Sequence, residues 1–84
     1  MAYQVNFSRS ALKDLEKLSA DIQKRVIEQT HKLAENPRHS GVKKLKNSPY
    51  YRARVSNYRI IYDIQDDVVT VMVLKIKHRR EVYR

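Results

Sequence analysis

Apolar positions change spacing repeatedly along the chain, and the changes predict its elements. From Ala2 to Phe7 they alternate, with Tyr3, Val5 and Phe7 on one side and Gln4 and Asn6 on the other, as in a strand with one buried face. Ser8 then suits a helix N-cap, and Ala11, Leu12, Leu15 and Leu18 recur at helical spacing behind it. Phe7 before the cap and Leu12 inside the helix suit a hydrophobic staple. Ser19 breaks this helix and caps a second, whose stripe of Ile22, Val26, Ile27, Leu33 and Ala34 runs from Ala20 to about Glu35. Asp21 complements the dipole at its start, and Asn36-Pro37 ends it, because a residue before proline avoids the helical region. Both stripes read as cover for a core rather than as a cofactor site.

Arg38 to Pro49 has no clean period and predicts a loop with a short turn. Alternation returns at Tyr51–Val55 and Tyr58–Ile64, separated by Ser56-Asn57, where Asn tolerates the left-handed conformation of a two-residue hairpin loop. After a turn at Gln65-Asp66-Asp67, Val68–Lys77 is nearly continuous in apolar and β-branched residues, as in a central strand covered on both faces. The expected fold is α+β, β-α-α-β-β-β, in one domain spanning 1–84. The most apolar strand takes the preceding strand and the N-terminal strand as neighbours. That gives an antiparallel sheet of order 2-3-4-1 with a helix hairpin packed on one face. The helix pair is expected to return the chain to the end of the first strand, which would make every pairing antiparallel.

Composition narrows the function. Eighty-four residues without cysteine allow neither disulfide staples nor a Cys-based zinc site. No apolar run approaches the length of a membrane span, and the N-terminal MAYQVNF lacks a signal-peptide layout, so a cytoplasmic protein is expected. Eighteen Lys+Arg against nine Asp+Glu give a formal charge of +9, which serves solubility or attracts a nucleic acid or an acidic protein.

The hairpin gives that charge a shape. With Ser56-Asn57 as the loop, Val55 opposes Tyr58, Arg54 opposes Arg59, Ala53 opposes Ile60 and Arg52 opposes Ile61. Tyr51, Ala53, Val55, Tyr58, Ile60, Tyr62 and Ile64 then face the helices, while Arg52, Arg54, Arg59, Ile61 and Asp63 face away. Like charges opposed across strands destabilise a sheet, so three arginines in one patch predict an anion, to which Arg offers two parallel donors. The alternative is that each arginine snorkels to water or pairs with Asp63, Asp66 or Glu81. Lys43, Lys44 and Lys46 form either a solvated run or a phosphate-binding rim beside this patch. Lys75, Lys77 and Arg79 alternate with Ile76 and His78, and Arg80 and Tyr83 follow in the tail.

RNA carries its own nucleophile, the 2′-hydroxyl, so a protein need only take that proton, stabilise charge on phosphorus and protonate the leaving oxygen. Arginines suit the second task but carry protons poorly, which leaves Tyr83 and His78 as proton-transfer groups. His31, His39 and His78 are dispersed without a carboxylate cluster, and no glycine-rich phosphate loop is present, so no metal site or cofactor is expected.

The segments YRARVSNYRIIYDI, QDD, VVTVMVLKI and KHRREVYR resemble the RelE/ParE toxin superfamily, and its RelE branch most, over nearly the whole chain. The resemblance implies a RelE-like fold and a cytoplasmic toxin of a type II toxin–antitoxin pair that enters the ribosomal A site and cuts mRNA without a metal. It implies as partners the ribosome, mRNA and a cognate RelB-like antitoxin, acidic and partly disordered. Carried onto this chain, it implies Tyr83 as base, Arg59 and Arg79 (or its neighbours Lys77 and Arg80) as phosphate stabilisers, and Arg52 or Arg54 near the nucleophile and leaving group. Well-known members have lysines at Arg52 and Arg54, so His78 competes for the role of acid. Lys43, Lys44, Lys46, Lys75, Lys77 and Arg80 are the candidate RNA and ribosome contacts. The rival readings are a ParE-like gyrase inhibitor, which needs no Tyr83 chemistry, and a non-catalytic basic nucleic-acid-binding module.

Overall fold

A computed structural model describes residues 2–79. The elements are β1 (Gln4–Phe7), α1 (Arg9–Glu16), α2 (Ala20–Glu35), β2 (Val42–Lys44), β3 (Tyr51–Val55), β4 (Tyr58–Gln65) and β5 (Thr70–His78). The strands form one sheet in the order β1-β5-β4-β3-β2. Ala11, Val26 and Leu33 of the helices pack on Ala53, Val55, Ile60, Tyr62, Val71, Val73 and Ile76, all fully or nearly fully buried. The two-layer α+β arrangement and the order of the four long strands are as the pattern predicts. Among the described residues no helix is long and apolar enough to cross a membrane.

Local chemistry explains the helix bounds. Ser8 Oγ accepts from Ala11 N–H at 3.0 Å and donates to the Leu74 carbonyl at 3.0 Å, so one hydroxyl caps α1 and moors it to β5. Ser19 caps α2 through Ile22 N–H, and the Gln23 amide closes the corner on the Leu15 and Leu18 carbonyls. β1 accompanies β5 only as far as the Phe7–Val73 pair. Beyond it the Asp14 carboxylate accepts Ile76 N–H at 3.0 Å, shielding an edge group that a longer β1 would have paired. Leu12, expected in a staple, is 46% exposed. The eight-residue α1 buries only Ala11 completely.

Three expectations are corrected. First, β1 and β5 run parallel. The sixteen residues of α2 span about 24 Å, enough to carry the chain past the sheet to the start of β1, where Tyr3 N–H donates to the Ala34 carbonyl at 2.6 Å. From that end β3, β4 and β5 alternate direction, and β5 comes out parallel to β1. Second, the supposed loop contains β2, which pairs with β3 through Val42–Ala53, Lys43–Arg52 and Lys44–Tyr51. Three residues are too few to show a period. Third, β5 begins at Thr70. Asp66–Val68 form a 3-10 turn, and Val69 adopts a left-handed conformation, φ 48°, which reverses the chain. Val68 is 60% exposed there.

β5 is also interrupted. Tyr62 pairs with Val73 but Ile61 pairs with Lys75, leaving Leu74 as an extra residue, a β-bulge. The bulge shifts the alternation by one, so Val71, Val73 and Ile76 all reach the core although their spacing is uneven. Lys75 and Lys77 consequently fall on the open face, opposite Ile61 and Arg59. The other end of the sheet is locked separately. Tyr62 OH donates to the Pro37 carbonyl at 2.6 Å. Arg38 makes two hydrogen bonds to the Asp66 carboxylate, at 2.8 and 3.2 Å, and Tyr3 OH donates to it at 2.6 Å. The bonds from Arg38, then that from Tyr3, hold the Asp66 pKa down at about 2.

Candidate active site

The β3–β4 hairpin has the register expected from its sequence: Val55–Tyr58, Arg54–Arg59, Ala53–Ile60 and Arg52–Ile61. The left-handed loop residue is Ser56, φ 54°, rather than Asn57. The positive φ thus falls on the first of the two loop residues, a geometry that suits the twist of a hairpin. The flanking strands extend these pairs into two rows across the open face. One runs Lys43, Arg52, Ile61, Lys75, and the next Arg54, Arg59, Lys77. Opposed Cβ atoms in such rows lie about 5 Å apart.

Two clefts open on these rows. A cleft of about 350 Å³ is lined by Ser40, Gly41, Lys43, Arg52, Arg54 and Arg59. A smaller one of about 90 Å³ is lined by Arg54, Ser56, Asn57, Tyr58, Arg59 and Arg79. Arg79 is brought there by its backbone N–H, which donates to the Asn57 carbonyl in the hairpin loop at 2.6 Å. Arg54 and Arg59 belong to both clefts, so all four candidate arginines within the described residues converge. Arg54 is exposed and Arg52 half-buried, whereas Arg59 is only 3% exposed.

No carboxylate among the described residues lines either cleft. Asp66, one of the candidate counter-charges, is held by Arg38 and Tyr3. Asp63 lies opposite Met72 and accepts from the Gln65 amide at 3.4 Å. Glu81, the third candidate, lies outside the described residues. Guanidinium groups opposed across a strand pair repel at short range, and an anion between them relieves that repulsion. Guanidinium forks match phosphate oxygens, so the clefts suit a phosphodiester in one and a neighbouring phosphate in the other.

Comparison with known proteins agrees with the fold. Residues 5–83 match the family described as the ParE toxin of type II toxin–antitoxin systems. The chain belongs to this toxin family. It is 36% identical to toxin RelG of Mycobacterium tuberculosis over all of this chain and 99% of that protein. It is 32% identical to the mRNA interferase toxin RelE of Escherichia coli, over 99% of this chain and 92% of that protein. The toxin–antitoxin complex RelBE2 from Mycobacterium tuberculosis superimposes with a TM-score of 0.85 at 33% identity, covering 94% of this chain and 93% of the other. The protein is thus a RelE-like toxin of the type II class.

The remaining candidates of this toxin are dispersed. His78 lies opposite Tyr58 on the helix side of the sheet, their rings edge to face at 5.1 Å. It borders a different cleft, of about 310 Å³, with Asp14, Lys17, Lys75 and Lys77. Lys75 turns toward α1 and donates to the Ser10 hydroxyl. Lys44 opposes Tyr51 and so points away from the arginines, and Lys46 is exposed in the turn after β2. Of that basic run only Lys43 joins the site. Arg80 and Tyr83 lie outside the described residues. The reading of the sequence missed the Ser40–Gly41 wall. Its one signal was the chain's only glycine, two residues before Lys43.

Proposed function

We propose that this toxin is an endoribonuclease that enters the ribosomal A site and cleaves mRNA there by attack of a 2′-hydroxyl on its own 3′-phosphate, without a metal ion. The observation that carries this is the pair of clefts joined by Arg54 and Arg59, free of carboxylates among the described residues. The interferase named RelE among its relatives supports the same reading.

In the proposed reaction the 2′-oxygen bonds to phosphorus as its proton passes to a base, and the 5′-oxygen leaves with a proton. The products are a 2′,3′-cyclic phosphate and a 5′-hydroxyl. Two non-bridging oxygens gain charge in between, and Arg59 and Arg79 supply donors aimed at them. Tyr83 is the proposed base. Its phenol must lose its proton near neutrality, which neighbouring guanidinium groups favour. At the leaving oxygen the proposal places Arg52 or Arg54, which stabilise its charge by hydrogen bonding while water supplies the proton, rather than His78, which lies on the far side of the sheet. Lys43 and Lys77 extend the electrostatic track for the strand.

The acidic partner that silences the toxin is proposed to be a RelB-like antitoxin that folds on binding. The antitoxin in the structurally similar RelBE2 complex supports this. Mapping mRNA 5′ ends on translating ribosomes during expression tests the activity: new ends inside codons are expected, and intact messages during growth arrest would overturn it. The family's ParE description also favours a second reading, gyrase inhibition. A supercoiling assay run beside the translation assay separates the two.

A further inference from the structure

Behind the larger cleft, three hydrogen bonds form a relay that the proposed chemistry does not use. The Gln29 amide nitrogen on α2 donates to the Arg54 carbonyl oxygen at 3.0 Å. The Gln29 amide oxygen lies 3.0 Å from His39 Nε2. His39 Nδ1 accepts the Gly41 N–H at 3.1 Å. Together these contacts admit one arrangement of protons. A carbonyl only accepts, so Gln29 must turn its NH2 to Arg54 and its oxygen to His39. A backbone N–H only donates, so Nδ1 must be bare. His39 is therefore the neutral imidazole with its proton on Nε2.

The two ends of this relay, Arg54 and Gly41, both line the cleft, whereas Gln29 and His39 do not. The ring also touches the loop directly, since a Cβ at Gly41 would come within 3.2 Å of His39 Cε1. We infer that Gln29 and His39 are positioning residues: they fix the Arg54 main chain and the Ser40–Gly41 wall relative to each other, and so set the width of the phosphate cleft between Arg54 and Lys43. Without the relay, β3 and the loop before β2 can each relax separately. The inference rests on reading the cleft as the RNA-cleaving site and adds residues to that site that do not touch the substrate.

The relay can be cut at either joint in the full-length chain. Gln29→Ala severs it from Arg54. His39→Gln keeps a donor near the Nε2 position but removes the acceptor for Gly41, and His39→Asn keeps that acceptor but withdraws from Gln29. Cleavage of mRNA on programmed ribosomes should lose on the order of ten- to a hundredfold in kcat in Gln29→Ala and His39→Gln, as for a misplaced catalytic group. KM should stay within about threefold, and His39→Asn should recover part of the loss. Nitrogen-15 spectra of the imidazole should show Nδ1 unprotonated and Nε2 protonated. Wild-type kcat in both severed variants, or a proton on Nδ1, would overturn the inference. So would a loss that merely tracks the folded fraction in urea. If the wild-type toxin cleaves no RNA, the cleavage reading fails by itself. Inorganic phosphate titrated onto Arg54 and Gly41 amide signals then decides the relay: about tenfold weaker binding in Gln29→Ala upholds it, and equal binding refutes it.

Discussion

Arg54 stands directly across the hairpin from Arg59, yet one side chain is exposed and the other is 3% exposed. The inner cation lies between the outer one on β3 and Lys77, its register partner on β5. Inorganic phosphate should bind this pair and raise the melting temperature of the toxin by mass action. The rise should shrink in Arg54→Ala and vanish in Arg59→Met. A scanning melt at low ionic strength with and without phosphate measures it, and equal rises in all three proteins would contradict a shared anion site.

Cleavage should respond more sharply than binding. Arg59→Met removes donors meant for charge that develops only in the transition state, so kcat should fall on the order of a hundredfold or more. Tyr83→Phe should abolish cleavage at neutral pH while leaving the urea unfolding midpoint unchanged. Toxicity in both variants would refute the site assignment, and tolerance of Tyr83→Phe alone would favour the gyrase reading.

Asp14 makes a stability prediction independent of function. Its carboxylate accepts the N–H of Ile76 at the open edge of β5. Asp14→Ala leaves that group without its acceptor and should cost about 1–3 kcal/mol, and Asp14→Asn, which keeps an oxygen, should cost less. Urea unfolding gives both values.

Asp66 predicts the acid limb of the stability curve. Its pKa is held at about 2 by Arg38 and Tyr3, below the ordinary 3.8. The native state therefore binds fewer protons than the unfolded chain in that interval, and stability rises with pH there. The contribution should be complete above about pH 4 and lost on acidification toward pH 2. Melting temperatures of Asp66→Asn across this window should lack that component, and a curve parallel to wild type would show that the Arg38–Asp66–Tyr3 lock adds nothing.

The hairpin and the caps were legible because their signals are local. Alternation in YRARV and YRIIY, with a two-residue loop between them, leaves a single register that buries Ala53 and Ile60 together. Ser8 and Ser19 sit where an orphan N–H needs an oxygen. What escaped depends on distant contacts. β2 is too short for a period, and its existence depends on Arg52 being available to pair with Lys43. The direction of β1 relative to β5 depends on where α2 ends, which no residue of either strand encodes. Gln29 on α2 and His39 in the loop after it lie ten residues apart, and only the fold reveals that they share a hydrogen bond. Leu12 was misjudged because helical spacing shows which residues share a face, not how much of that face a short helix covers.

The bulge at Leu74 serves the scaffold and not the arginines. Removing that residue would join Val73 to Lys75 in an uninterrupted ladder and leave Lys77 still facing Arg59. The arginine rows would survive such a deletion. What would be lost is the turned-out carbonyl that takes the Ser8 hydroxyl, and with it the anchorage of α1. Chemistry and scaffold thus have separable tolerances to a change in strand length.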